Sequence, residues 1–154
     1  PTSWFVSNRD GWLLNSTECD WGVSTQLRVR CSTNDDIVEA VVLSDSGGLS
    51  GTIPGEIGLL TSLRFLSFGP NHLEGPIPTE IGLLDSLIHL SLESNLQGTI
   101  PTEIGLLTAL TRLEFRNNAN LGGTIPTEIG LPTSLTYFYF HGNNLEGTIP
   151  TEIG

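Results

Sequence analysis

Ile-Pro-x-Glu-Ile-Gly occurs five times, beginning at Ile53, Ile77, Ile100, Ile125 and Ile149, at intervals of 24, 23, 25 and 24 residues. A near-constant period of this length marks a chain built from stacked units, none of which can bury its apolar face without a neighbour. Each copy follows a Leu-x-Gly: Leu49/Gly51, Leu73/Gly75, Leu96/Gly98, Leu121/Gly123 and Leu145/Gly147. Further upstream stands an alternating apolar stretch that ends near an Asn. One unit is therefore repeated along most of the chain.

The apolar stretches read Leu63, Leu66, Phe68; Leu87, Leu90, Leu92; Leu110, Leu113, Phe115; and Leu135, Phe138, Phe140. Within each set the last two residues alternate as a strand requires, and Val38, Val41 and Leu43 fill the same phase in a degenerate first repeat. Short strands stacked about 4.8 Å apart build a parallel sheet with inward apolar ladders. Each fully covered Leu or Phe then contributes roughly 1.5–3 kcal/mol. Asn71, Asn95, Asn118 and Asn143 recur after the strand, where an inward amide can bond backbone groups that strand pairing no longer satisfies. After them, Gly permits close backbone approach, and Pro opens a short helical or 3₁₀ turn with Glu in its first turn, where the helix dipole favours it. The fold class expected is an α/β repeat solenoid.

Composition narrows the function. The length of 154 residues suits one domain, and a formal charge of −11 repels phosphate backbones and anionic lipid headgroups. Nucleic acid is excluded as an expected partner. All six basic residues are Arg, so no lysine is present for Schiff-base or phosphate-loop chemistry. With no Met in the chain, Pro1 reads as a processed or trimmed start. No apolar run approaches the roughly 20 residues that span a bilayer, so no membrane insertion is expected within this chain. Cys19 and Cys31 read as one disulfide closing a short loop, with two buried thiols as the alternative; a zinc site would need two more ligands. Asn15-Ser16-Thr17 is an N-glycosylation sequon and agrees with an oxidising secretory route.

The repeat resembles the plant-type leucine-rich repeat family, whose unit runs Leu-x-x-Leu-x-Leu-x-x-Asn-x-Leu-x-Gly-x-Ile-Pro-x-x-Ile-Gly-x-Leu. The match covers about residues 37–154, roughly five repeats with no C-terminal cap. Residues 1–36, from Trp12-Leu13-Leu14 to Cys19-Asp20-Trp21-Gly22-Val23 and Cys31, look like the family's Trp/Cys N-terminal cap. Residues Ser24 to Arg30 lengthen the cap loop relative to the family pattern. One residue is missing between Asn95 and Leu96, and one is added before Leu121; each implies a local bulge or tightened turn. The resemblance implies a right-handed superhelix with a parallel sheet on its concave face. It also implies an extracellular, secreted or cell-surface location. Similar arrays form receptor-kinase ectodomains, receptor-like proteins and inhibitors of cell-wall enzymes in plants, and surface proteins in algae including diatoms.

On such a scaffold the strand positions between the inward ladders face the concave surface. Phe65, His89, Arg112, Arg116, Tyr137, Tyr139 and His141 collect there and resemble a recognition hot spot for a protein, peptide or glycan ligand. The alternative is a set of idle exposed aromatics, with Glu114 neutralising its arginine neighbours. Two regular ladders carry weaker readings. Glu56, Glu80, Glu103, Glu128 and Glu152 suggest cation binding but are explained by their place in a helical turn. Thr52, Thr99, Thr124 and Thr148 suggest ice binding, but Pro76 interrupts the row and the uneven periods spoil its flatness. Catalysis has no visible seat. His89 and His141 fall roughly 15 Å apart by strand spacing, and no Ser/His nucleophile motif occurs. No cofactor is called for. A further expectation concerns Leu135, Phe138, Phe140, Leu145 and Ile149, where another copy of the chain could stack head to tail into a filament.

Overall fold

The computed structural model describes residues 27–32, 37–43 and 50–153. Trp12, Asn15, Cys19 and Trp21, on which the cap, sequon and disulfide readings rest, lie outside these residues.

Two sheets run side by side along the solenoid. The larger consists of β1 (Leu27–Cys31), β2 (Val38–Leu43), β4 (Phe65–Phe68), β6 (His89–Glu93), β8 (Arg112–Arg116) and β10 (Tyr137–Tyr139), in that spatial order. From β2 onward every pairing is parallel, as the repeat requires. β1 pairs antiparallel with β2, placing Leu27 opposite Leu43, with an irregularity between Arg30 and Cys31. This strand lies inside the segment expected to form the cap. The second sheet was not foreseen from the sequence. It joins β3 (Ser50–Thr52), β5 (His72–Gly75), β7 (Asn95–Thr99), β9 (Asn120–Thr124) and β11 (Asn144–Glu146), again in parallel neighbours.

Opposite the larger sheet the chain returns through 3₁₀ turns at Gly55–Leu59, Thr79–Leu83, Thr102–Leu106 and Thr127–Gly130. An extended proline precedes each turn and a glutamate occupies its first turn. The last glycine of each Ile-Pro-x-Glu-Ile-Gly is fixed by packing between repeats. A methyl group on Gly105 would lie 2.6 Å from the Glu128 carbonyl oxygen, and one on Gly82 would lie 2.8 Å from that of Glu103. The Leu-x-Gly glycine is fixed by conformation: Gly51, Gly75, Gly98, Gly123 and Gly147 all have φ between 71 and 109°.

Between these walls the ladders are dry. Leu63, Leu66 and Phe68, and their counterparts through Phe115, are fully buried together with Ile57, Ile81 and Ile104. Leu135, Phe138, Phe140 and Leu145 are partly buried against this core, and Phe140 meets Phe115 edge-on at 5.3 Å. Ile149 is exposed.

The inward amides bind backbone where the strands end. Asn118 donates to the carbonyls of Leu92 and Arg116 at 3.1 and 2.9 Å and accepts from the N–H groups of Ser94 and Leu96 at 3.1 and 3.3 Å. Asn71 donates to Leu43 and Gly69, and Asn143 to Phe115 and Phe140. Asn95 departs from the expectation. It is exposed, and Ser94 occupies the buried position instead. The missing residue shortens the chain after Leu92, so one residue rather than two lies between that leucine and the inward slot. Repeat four has the opposite irregularity, and there Asn117 adopts φ 53°, the left-handed conformation that Asn tolerates.

Candidate functional site

Parallel register sorts the outward side chains of the larger sheet into files. One file runs Phe65, His89, Arg112, Tyr137; the next runs Ser67, Ser91, Glu114, Tyr139; a third begins at Glu93 and Arg116. The expected concave residues therefore come together on one face. Glu114 occupies the middle of that face.

Glu114 is only 4% exposed although its neighbours are open to solvent. Its Oε1 pairs with Arg112 Nε, and its Oε2 lies 2.5 Å from Arg116 Nη2. A carboxylate withdrawn from water on a sheet face needs this pairing, because an unpaired charge there costs several kcal/mol. Mutual neutralisation of these three charges is the alternative to a recognition role that the sequence offers. The structure adds a consequence: one carboxylate holds both guanidinium groups in place over the neighbouring strand.

The guanidinium carbon of Arg112 lies 4.2 Å from the centre of the Tyr137 ring, and that of Arg116 lies 4.7 Å from the centre of Tyr139. Cation–π contacts of this kind contribute about 0.5–1 kcal/mol at exposed sites. The two tyrosine rings lie within 14° of parallel with centres 6.4 Å apart, and His141 continues the row 6.1 Å beyond Tyr139. Both rings remain about two-fifths exposed. At the other side of the sheet Arg30 repeats the arrangement over Phe65 at 5.7 Å. Large aromatic faces are thus held out to solvent in fixed orientations.

His89 lies between these groups. Its Nε2 is 3.8 Å from Glu114 Oε1, too far for a hydrogen bond, and has no hydrogen-bond partner. Burial lowers its pKa below the ordinary 6.5; Glu114 opposes the shift, and Arg112 and Arg116 add to it. The imidazole is accordingly neutral at pH 7.

The regular ladders have structural roles on other surfaces. In four turns the threonine before the glutamate donates its hydroxyl to that glutamate's carboxylate at 3.3–3.4 Å. Among the described residues no three His, Cys, Asp or Glu side chains come close enough to hold a metal ion. Of the Thr row, Thr52 and Thr99 place a methyl group where a side chain on Gly75 or Gly123 would collide, at 2.9 Å. A shallow depression on that flank is lined by Thr99, Thr102, Thr124, Thr127 and Glu128. Among the described residues no helix is long and apolar enough to cross a membrane.

Comparison with known proteins agrees with this architecture. The family model for the leucine-rich repeat matches residues 134–154. No curated protein matches the chain. Among solved structures, the BIR2 ectodomain from Arabidopsis thaliana is 30% identical, with a TM-score of 0.75 over 97% of this chain and 74% of that one. The ectodomain of the Arabidopsis receptor kinase HAESA, solved in complex with an N-terminally extended IDA peptide hormone, is 34% identical at a TM-score of 0.65. That alignment covers 68% of this chain but only 18% of the receptor's. A plant ice-binding protein is 30% identical at a TM-score of 0.76, over 96% of this chain and 46% of that one.

Proposed function

The chain belongs to the leucine-rich repeat proteins, and from that premise we propose that it is a non-catalytic recognition scaffold that binds a protein, peptide or glycan partner on the concave face of its larger sheet. The observation that carries this reading is the Tyr137–Tyr139 pair, each ring exposed and each pinned by an arginine that Glu114 holds. Rigid aromatics next to arginine supply large contact area with little ordering entropy left to lose on binding, the property of interface hot spots. Phe65, His89, Arg112, Arg116 and His141 complete the surface. The peptide carried by the HAESA ectodomain supports a ligand of similar kind here.

The same reading includes a plant-type Leu-x-Gly-x-Ile-Pro repeat array over 37–154 and a Trp/Cys cap over 1–36 closed by Cys19–Cys31. No free cysteine occurs among the described residues, which supports the disulfide. An extracellular location with a glycan on Asn15 follows from it. Enzymatic activity is not part of the proposal.

The ice-binding neighbour favours a second reading, through the threonine row. The register weighs against it: Thr99 pairs with Gly122, and Thr124 with Glu146, so the threonines do not form a level array. Thermal hysteresis of the purified chain decides this reading, and its absence removes it.

A displayed library of random peptides, selected on the folded protein, tests the main proposal. Enriched peptides should bind the wild type and lose binding to Arg112→Ala/Arg116→Ala. Peptides that bind both proteins equally would place recognition elsewhere.

A further inference from the structure

On the side opposite the larger sheet, each repeat leaves one leucine in water: Leu59, Leu83, Leu106 and Leu131 are 65, 51, 54 and 60% exposed. They stand at the same position of four successive units, directly after the last glycine of the repeated motif. The next residue turns inward; Leu84 and Leu107 are fully buried. Core packing therefore does not account for the outer leucine.

Recurring once per repeat, these leucines form a row along the solenoid. A methyl group on Gly58 would lie 3.1 Å from Leu83 Cδ1, and one on Gly105 the same distance from Leu131 Cδ1, so these two side chains reach back over the turn before them. Monomeric proteins seldom present contiguous apolar surface of this regularity unless something covers it. The charged residues of these turns are glutamates, Glu56, Glu80, Glu103 and Glu128, and none of the turns ends on a basic residue. Glu80 and Glu128 cover the same two glycines as Leu83 and Leu131. Every arginine among the described residues lies on a strand of the larger sheet or directly before one.

We propose that this ridge docks a basic amphipathic helix of a partner protein, with its apolar stripe along the solenoid axis and its Lys/Arg flank against the glutamates of the turns. The spacing suits such an occupant. Paired strands of successive repeats are about 4.8 Å apart and one helical turn rises about 5.4 Å, so a helix laid along the solenoid axis offers about one apolar residue per repeat. A second copy of the chain would bring an identical acidic row against this one, at a net charge of −11 per chain. An anionic membrane surface is disfavoured for the same reason.

The probes are an 18-residue synthetic helix with leucines on one face and lysines on both flanks, and a twin in which glutamate replaces lysine. Fluorescence anisotropy should show the lysine peptide binding the wild type, and its affinity should fall at least tenfold in Leu83→Gln/Leu106→Gln, which leaves every charge in place. Glu80→Gln should weaken binding and reduce its salt dependence. Tyr137→Ala/Tyr139→Ala should leave it unchanged, so this surface and the concave face fail separately. Equal affinity for wild type and the leucine variant would overturn the proposal, as would no binding at all. A wild-type dimer in light scattering that the leucine changes dissolve would also overturn it, assigning the ridge to a second copy.

Discussion

Replacing Asn118 with alanine removes one side chain and strands four backbone groups. The amide donates to the carbonyls of Leu92 and Arg116 and accepts from the N–H groups of Ser94 and Leu96, and the residue is fully buried. Each buried group left unsatisfied costs about 1–3 kcal/mol. Taking the low end, because water can enter the space the amide leaves, the loss is about 3–4 kcal/mol. That is a large share of a stability of about 5–15 kcal/mol. With a urea slope near 2 kcal/mol/M, the unfolding midpoint falls by about 1.5–2 M. Asn118→Asp should not rescue, since a carboxylate accepts from the two N–H groups but cannot donate to the two carbonyls. Asn95→Ala, at an exposed position, should change stability by no more than about 0.5 kcal/mol. Comparable urea midpoints for Asn118→Ala and Asn95→Ala would refute the assignment of the inward amide as the joint between repeats.

Gly105→Ala directs a methyl group at the Glu128 carbonyl 2.6 Å away, and a backbone oxygen cannot swing aside as the end of a side chain can. A loss of about 1–3 kcal/mol in chemical denaturation is expected. His89 has a pKa lowered by burial, so the unfolded chain binds more protons than the folded one as pH falls below the ordinary 6.5. Stability should decline over that range, and His89→Gln should flatten the decline in thermal melts taken from pH 7 to pH 5. Glu114→Gln retains the shape of the side chain but leaves two guanidinium groups without their shared anion. It should weaken peptide binding at least tenfold while costing about 1–3 kcal/mol of stability.

The fold was legible in the sequence because its determinants are local and repeated: alternating leucines, the glycine that takes a positive φ, and the proline before each turn. Where the repeat broke, the reading became less accurate. Asn95 matches the motif by residue type, but the missing residue beside it places Ser94 in the slot, and only chain geometry shows which of two adjacent polar residues turns inward. The second sheet left no apolar alternation to read, since its outward positions are Ser, Thr, His, Glu, Gln and Asn. The concave residues could be listed from strand phase. Burial of Glu114 depends on the strand before it as well as the strand after it, and single-strand alternation carries no information about either. The outer leucine ridge was hidden differently: in a leucine-rich motif an exposed leucine looks like one more core residue.

Calorimetric titration of one selected peptide into wild type and Tyr137→Ala/Tyr139→Ala tests the central claim most directly, provided both proteins show the same melting temperature. Two hot-spot aromatics at roughly 1–2 kcal/mol each predict a loss of affinity of about 100-fold. Affinities within twofold of each other would contradict the concave face as the site of recognition.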